Sequence, residues 1–178
     1  EARGLVPDDA YYARRFKTSQ WPRGLLLNLG IGQGELLTTP IQLATMTSIV
    51  ANGGRAVRPH VVRSIEGDVG FRLEKPLEPG LRTDPANWDS VHDAMENVVQ
   101  AGTAQAVKIP GLRVAGKTGT AQNPHGRDHA VFVCYAPADH PTIALAIVAE
   151  NAGHGGSVCA PIAAYTLKRV LLGDSLST

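Results

Sequence analysis

The chain has 178 residues, of which 43% are hydrophobic, and this size and composition support one domain around one core. The formal net charge is +1, which indicates neither a nucleic-acid-binding surface nor an acidic tail. No apolar run approaches the ~18 residues that a transmembrane helix needs, and no signal peptide is recognisable. The first residue is Glu1 rather than Met, so we expect a piece of a longer protein.

The N-terminal part predicts a short helix and a glycine-rich loop. Asp8 and Asp9 follow Pro7 and precede a polar and aromatic stretch, which indicates a short helix. An apolar run over residues 25–29 leads into a loop over residues 30–34 in which every second residue is glycine. This loop lacks the further glycine and the immediate helix of a dinucleotide-binding fingerprint, so we assign it no nucleotide.

The next segment carries clear start and stop signals of an α-helix. Thr39 is a good N-cap, Pro40 suits the first helical position, and Gln42 completes a capping box. Asn52-Gly53-Gly54 supplies the stop. The spacing places Met46 on the buried face of this helix, so we expect it to fill the core.

The middle of the chain predicts an edge strand, a loop region and a second helix. Residues 55–65 are strand-like, with a proline that restricts them to an edge or a bulge, and residues 66–83 indicate a hairpin or loop. Asp84 and the proline after it open a helix that stops near Gly102. Its expected buried stripe is Trp88, Val91, Met95 and Val98.

The second half predicts three strands and a closing helix. The first strand follows Val114 and contains Lys117. Residues 130–136 and 142–150 are two further apolar strands, and the short loop between them makes an antiparallel hairpin. Ser157 is the expected N-cap of the last helix, which should end near residue 173.

The potential metal ligands of this half do not predict a metal site. His125, Asp128 and His129 share one loop, but their spacing fits no standard structural zinc site and supplies only three candidates. Cys134 and Cys159 are the only cysteines in the sequence. We expect two buried thiols, with a disulfide as the alternative if the strand and the last helix meet.

The most informative stretch is Lys117, Thr118, Gly119 and Thr120. Alternate side chains of a strand share a face, so Lys117 and Gly119 should point one way and the two threonines the other. A glycine inside a strand marks a place where a ligand or another backbone comes close. The pattern predicts a strand edge that docks an anionic, peptide-like molecule, and a plain hairpin with an exposed lysine is the alternative.

Residues 111–118 also satisfy the phosphate-loop pattern G-x-x-x-x-G-K-[ST]. That pattern requires a loop before the lysine and a helix that starts at the Lys-Thr pair. Here the loop positions are Leu-Arg-Val-Ala, which predict a strand, and the glycine and proline that follow exclude a helix. We therefore reject a nucleotide-binding loop.

Lys117-Thr118-Gly119 resembles the Lys-Thr-Gly motif of penicillin-binding proteins and serine β-lactamases. Further segments, in one order along nearly the whole chain, look like the class B transpeptidases, and their spacing most resembles the elongation-type subfamily, penicillin-binding protein 2. They are residues 21–24, 29–35, 39–44, 52–54, 58–60, 101–104, 132–137 and 150–151. The resemblance implies an α/β fold of the α+β type, a β-lactamase/transpeptidase-like antiparallel sheet flanked by helices. Residues 1–178 would be its C-terminal part, which contains the Lys-Thr-Gly strand.

The same resemblance implies the roles of the motif residues. The complete parent would be a bacterial peptidoglycan D,D-transpeptidase that works through an acyl-serine intermediate and binds β-lactams. Lys117 would hold the terminal carboxylate of the ligand and help to move protons, and Gly119 would let the acyl group approach. The backbone N–H of Thr120 would be one oxyanion donor, and its hydroxyl would touch the carboxylate. Thr118 belongs to the substrate-binding motif on the opposite face from Lys117.

The nucleophile of that family is missing from the sequence. Ser and Lys sit one helical turn apart in its S-x-x-K motif because the serine needs a nearby base. None of the serines, at positions 19, 48, 64, 90, 157, 175 and 177, has a lysine three positions on, and none begins the second motif, S-x-N. Both motifs precede Lys-Thr-Gly in the family, so we expect them before residue 1 and expect this chain alone to be inactive. The alternative is a catalytically silent module that binds peptidoglycan or senses β-lactams.

The partners and the location follow from the resemblance alone. It implies peptidoglycan stem peptides and β-lactams as ligands, and neither a cofactor nor a metal. It implies the N-terminal part of the same transpeptidase domain, and a membrane glycosyltransferase of the elongation machinery, as protein partners. The parent would act at the periplasmic or extracytoplasmic face of the bacterial inner membrane, anchored by an N-terminal segment.

Overall fold

A computed structural model describes residues 2–62 and 80–173 of the chain. Three antiparallel strands form a sheet in the order β1-β2-β3, and helices pack on both of its faces. The elements are α1 (Asp9–Phe16), α2 (Leu25–Gly30), α3 (Pro40–Ala51), α4 (Pro85–Gln100), a 3-10 turn (Gln105–Val107), β1 (Ala115–Ala121), β2 (His129–Ala136), β3 (Ile143–Ala149) and α5 (Gly155–Leu171).

The strand register divides the sheet into two faces. Thr118 of β1 lies opposite Phe132 of β2, which lies opposite Ile147 of β3. Because side chains alternate along a strand, these three share one face, and Lys117 and Val133 lie on the other. Helix α5 covers the first face, and α3 packs against β2 and β3 on the opposite face.

The main core lies between the sheet and α5. Phe132, Cys134, Ala160, Ala163 and Leu167 are fully buried there. The two alanines of α5 let its backbone approach the sheet closely, and a fully buried Phe or Leu side chain contributes about 1.5–3 kcal/mol to stability. Helix α5 therefore supports the face of the sheet that carries Thr118 and Phe132.

Helix α3 begins as its sequence predicts. Thr39 Oγ1 accepts a hydrogen bond from the backbone N–H of Gln42 at 3.3 Å, and Gln42 Oε1 accepts one from the N–H of Thr39 at 2.9 Å. The prediction that Met46 fills the core is wrong, since this side chain is 49% exposed. Thr47 is buried instead, and its hydroxyl donates to the carbonyl of Leu43 at 2.8 Å.

Helix α4 is capped by Asp84, whose carboxylate accepts from the N–H of Ala86 at 3.0 Å. Its buried stripe is shifted from the predicted one, because Val91 is 39% exposed while Val99 is buried against the core. Helix α5 starts at Gly155 with His154 as its N-cap, so the prediction of Ser157 as the cap is also wrong.

The predicted edge strand over residues 55–65 is not formed in its described part. Residues 55–62 contain no strand, and the remaining residues of that prediction, together with most of the hairpin or loop predicted over 66–83, lie outside the described residues. Residues 25–29, predicted only as an apolar run, form most of the short helix α2. In the described part of the chain, no helix has the length and apolar character to cross a membrane.

The two cysteines are buried free thiols. Cys159 Sγ donates to the carbonyl of Ala130 at 3.4 Å. Burial raises the pKa of Cys134 to about 12, and it also raises the pKa of Cys159. The first of the two expectations, buried thiols, is confirmed.

Candidate functional site: the free edge of the Lys-Thr-Gly strand

Strand β1 pairs with β2 along one edge and has no strand partner on its other edge among the described residues. The carbonyl of Thr118 accepts a hydrogen bond from Lys117 Nζ at 2.8 Å, and the carbonyl of Thr120 accepts one from Gln33 Nε2 at 2.8 Å. Neither donor belongs to β2. The N–H and C=O of one residue in an antiparallel strand point to the same edge, so Thr118 and Thr120 present their backbone groups at this free edge.

The side chains of the motif alternate as the sequence predicts. Thr118 Oγ1 lies 2.7 Å from Thr103 Oγ1, just after α4. Thr120 Oγ1 lies 3.4 Å from Nδ1 of His154, the N-cap of α5. Both threonines therefore lie on the face of the sheet that α5 covers. Lys117 is exposed on the opposite face and reaches back to the strand edge.

Glycine lets α5 begin directly on the strand backbones. A Cβ atom at Gly155 would collide with the carbonyl oxygen of Val131 and would lie 2.8 Å from that of Gly119. The N-terminus of the 17-residue α5 thus lies beside the middle of β1. Because a helix N-terminus carries a partial positive charge, this contact adds positive potential behind the motif.

The loop after β1 is tied to the loop before α5. Asn123 Nδ2 donates to Asn151 Oδ1 at 2.6 Å, and the N–H of Asn123 donates to Asp128 Oδ1 at 3.2 Å. The N–H of Asn151 donates to His129 Nδ1 at 3.0 Å. Within residues 2–62 and 80–173, no group of three His, Cys, Asp or Glu side chains is placed to hold a metal ion.

An ion pair holds α4 against the entry to β1. Arg113 donates two hydrogen bonds to Glu96, from Nε at 2.8 Å and from one terminal nitrogen at 2.6 Å. The bonds from Arg113 lower the pKa of Glu96, and partial burial opposes this shift. This bidentate contact fixes the start of β1 relative to α4.

Sequence reasoning left three contacts of the strand unassigned. Gln33, Thr103 and His154 all bond to motif residues, but they come from distant parts of the chain. The alternating glycines around Gln33 and the paired glycines after His154 were the available signals, since such glycines mark tight turns or close backbone contacts.

The structure does not support a phosphate-binding loop at residues 111–118. Lys117 and Thr118 lie inside a strand that continues to Ala121, whereas a phosphate-binding loop needs a helix that starts at the Lys-Thr pair.

A family profile described as "Penicillin binding protein transpeptidase domain" matches residues 8–168. The chain belongs to this family. It is 37% identical over 174 residues to the Peptidoglycan D,D-transpeptidase MrdA of Acinetobacter baumannii, and the match covers 88% of this chain and 26% of that protein.

Solved structures of this transpeptidase family have the same fold. Pseudomonas aeruginosa PBP2, in complex with the compound WCK 5153, is 42% identical with a TM-score of 0.87, over 97% of this chain and 39% of that one. Helicobacter pylori PBP2, in complex with MreC, is 28% identical with a TM-score of 0.79, over 96% of this chain and 31% of that one. The implied β-lactamase/transpeptidase-like fold and the similarity to PBP2-type (MrdA) proteins are thereby confirmed. The chain spans only about a quarter to two fifths of the length of these proteins.

Proposed function

We propose that the complete protein containing this chain is a peptidoglycan D,D-transpeptidase, which cross-links stem peptides through an acyl-serine intermediate and is acylated by β-lactams. The observation that carries this proposal is the free edge of β1, where backbone groups of Thr118 and Thr120 stand beside the exposed ammonium group of Lys117. An extended peptide ending in a carboxylate has the backbone donors, acceptors and charge that match this edge.

Lys117 is the proposed anchor for the ligand carboxylate and a participant in proton transfer. Its ammonium group donates to the neutral carbonyl of Thr118 at 2.8 Å. A carboxylate is a stronger acceptor for this ammonium group than a neutral carbonyl, because two opposite full charges then attract each other. The hydroxyl of Thr120, which we assign to the same carboxylate, and the N-terminus of α5 lie on the other face of β1, and the helix N-terminus adds positive potential behind the motif. Thr118 supports this site from the other face through its bond to Thr103.

The N–H of Thr120 is the proposed oxyanion donor. It points to the free edge, because the carbonyl of the same residue bonds to Gln33 there. Negative charge develops on the carbonyl oxygen of the ligand during attack, and loss of one such donor costs about 3 kcal/mol. Gly119, next to this donor, has no side chain to obstruct the reacting carbonyl.

The nucleophile of the proposed reaction belongs to a part of the protein outside this sequence. No serine of the chain begins S-x-x-K or S-x-N. Three apolar side chains on or beside α2, Leu26, Leu27 and Ile31, are 51%, 76% and 75% exposed. They support the proposal that the N-terminal part of the same domain covers this region and completes the site. The chain alone is then inactive.

The location and the protein partners are further parts of the proposal. The parent would act on peptidoglycan at the periplasmic or extracytoplasmic face of the inner membrane, anchored by an N-terminal segment. The complex of Helicobacter pylori PBP2 with MreC supports a multi-protein assembly. A membrane glycosyltransferase of the elongation machinery is the enzyme that we propose as an additional partner.

Lys117→Ala in the complete protein tests the assignment. The second-order rate constant of acylation by a carboxylate-bearing β-lactam should fall roughly 10- to 100-fold, because a hydrogen bond to a charged group contributes about 1.5–3 kcal/mol. Lys168→Ala, at an exposed position in the last turn of α5, is the matched control and should acylate like the wild type. Equal rates for the two variants would refute the role of Lys117.

A catalytically silent binding module is the second candidate, and whether the complete protein carries S-x-x-K before this sequence distinguishes the two. It predicts reversible binding of a β-lactam or a stem peptide without a covalent mass increase on the complete protein. A covalent adduct on the wild-type parent would exclude it.

A further inference from the structure

The side chain of Gln33 pairs with β1 as a neighbouring strand would. Its Nε2 donates to the carbonyl of Thr120 at 2.8 Å, and its Oε1 accepts from the N–H of Gln122 at 3.4 Å. These two backbone groups lie two residues apart on one strand edge, where an adjacent strand would bond them with an N–H and a C=O from two of its peptide groups. One carboxamide, whose N–H and C=O can point the same way, therefore occupies the hydrogen-bonding positions of a short stretch of a neighbouring strand.

The loop that carries Gln33 is held on both sides. Gly32 and Gly34 have φ values of +75° and +76°, which favour glycine, and the N–H of Gln33 donates to the carbonyl of Asn28 at 2.8 Å. The next residue, Glu35, accepts from the hydroxyl of the buried Tyr12 at 3.0 Å. Because the backbone is restrained on either side, the carboxamide is directed towards the strand before a ligand arrives.

We infer that Gln33 is a positioning residue of the transpeptidase site, which fixes the free-edge backbone of Thr120. The inference rests on the proposed function, in which the N–H of Thr120 stabilises the oxyanion. The N–H and C=O of Thr120 share one edge, so a bond that holds the carbonyl also sets the direction of the N–H. A small misplacement of a catalytic donor has a large effect on rate.

This role differs from a general contribution to stability in its kinetic effect. Weak positioning of Thr120 slows the acylation step itself, because charge on the oxyanion develops only during attack. It leaves the preceding non-covalent binding of the β-lactam largely unchanged, since that binding depends on Lys117. A merely structural role lowers thermal stability without this separation.

The test uses Gln33→Met and Gln33→Glu in the complete protein, with Gln20→Met, at an exposed position, as the matched control. A chromogenic β-lactam and rapid mixing separate the first-order acylation constant from the dissociation constant of the initial complex. We expect Gln33→Met to lower the acylation constant roughly 10- to 100-fold, with the dissociation constant within twofold of the wild-type value. The Gln20→Met control should have the same acylation constant and the same dissociation constant as the wild type.

Gln33→Glu provides a rescue. A carboxylate cannot donate to the carbonyl of Thr120, but a protonated carboxyl group can, while its other oxygen still accepts from Gln122. The ratio of the wild-type acylation constant to that of Gln33→Glu should therefore decrease as the pH falls from 7.5 to 5. The same ratio for Gln33→Met should stay constant. An acylation constant of folded Gln33→Met within twofold of the wild type, or equal pH behaviour of the two variants, would overturn the inference.

Failure of the proposed function can be told apart from failure of this inference. If the wild-type parent forms no acyl adduct, the proposed function fails, and amide hydrogen exchange then tests Gln33 by itself. The amide of Gln122 should exchange faster in Gln33→Met, while the amide of Ala121, which faces His129 of β2, should be unaffected. Unchanged exchange at Gln122 would overturn the inference in that case.

Discussion

Replacing Gly155 by alanine sets two effects of opposite sign against each other. Gly155 is the first residue of α5, and it adopts a helical conformation that alanine tolerates. Helix propensity alone therefore predicts stabilisation by up to about 1 kcal/mol. The added methyl group, however, would overlap the carbonyl oxygen of Val131 and lie 2.8 Å from that of Gly119.

We expect the steric cost to exceed the gain in helix propensity. Both obstacles are backbone atoms of paired strands, so relief requires α5 or the sheet to move. Overpacking of this kind costs about 1–3 kcal/mol, and we expect a net loss of about 1 kcal/mol after the gain in helix propensity. For a domain of this size, such a loss lowers the Tm by about 2–4 °C.

Differential scanning calorimetry of the Gly155→Ala chain measures this change. Gly30→Ala is the matched control, because the new methyl group at the end of α2 meets no atom within 4 Å. The control should change stability by less than about 1 kcal/mol, in the stabilising direction. A Tm of Gly155→Ala equal to or above that of the wild type would refute the close packing of α5 on the strand backbones.

Two further predictions concern titratable groups. The pKa of Glu96 is lowered in the folded state by Arg113, so its contribution to stability is present above its ordinary pKa and is lost as the pH falls below about 4.5. We expect Glu96→Gln to lower the stability by about 1 kcal/mol at pH 7, because the pair is partly exposed, and to match the wild type more closely at pH 3.5 in thermal melts; a constant difference between these pH values would contradict the assignment. Cys134 and Cys159 should not react with a thiol reagent at pH 8 in the folded chain, because both are buried and burial raises the pKa of each, and both should react in urea. Rapid reaction of either thiol without denaturant would show that the core opens.

The sequence predicts those features that depend on residues close together in the chain. The capping box of α3 joins residues three positions apart, and the alternation of Lys117 and Thr118 on β1 follows from strand geometry alone. Burial is less predictable, because it depends on what packs against each face. Met46 is 49% exposed and Val91 is 39% exposed in spite of their helical spacing.

The supporting contacts of the site could not be predicted in this way. Gln33 lies 87 positions before Thr120 in the sequence, and His154 lies 34 positions after it. Neither residue type has a spacing rule that points to a distant strand edge. The start of α5 was missed for a related reason: Gly155 is a poor helix former, and its place in the helix is explained by close packing on the strands.

The central claim is that this chain supplies the Lys-Thr-Gly wall of a site whose nucleophile lies outside it. The most direct test is the intact mass of this chain and of its complete parent after incubation with a penicillin, followed by peptide mapping of any adduct. We predict one covalent adduct on the parent, at a serine outside these 178 residues, and none on the chain alone. An adduct mapped to a serine of this chain would contradict the claim, and a parent without an adduct would leave the silent binding module as the better account.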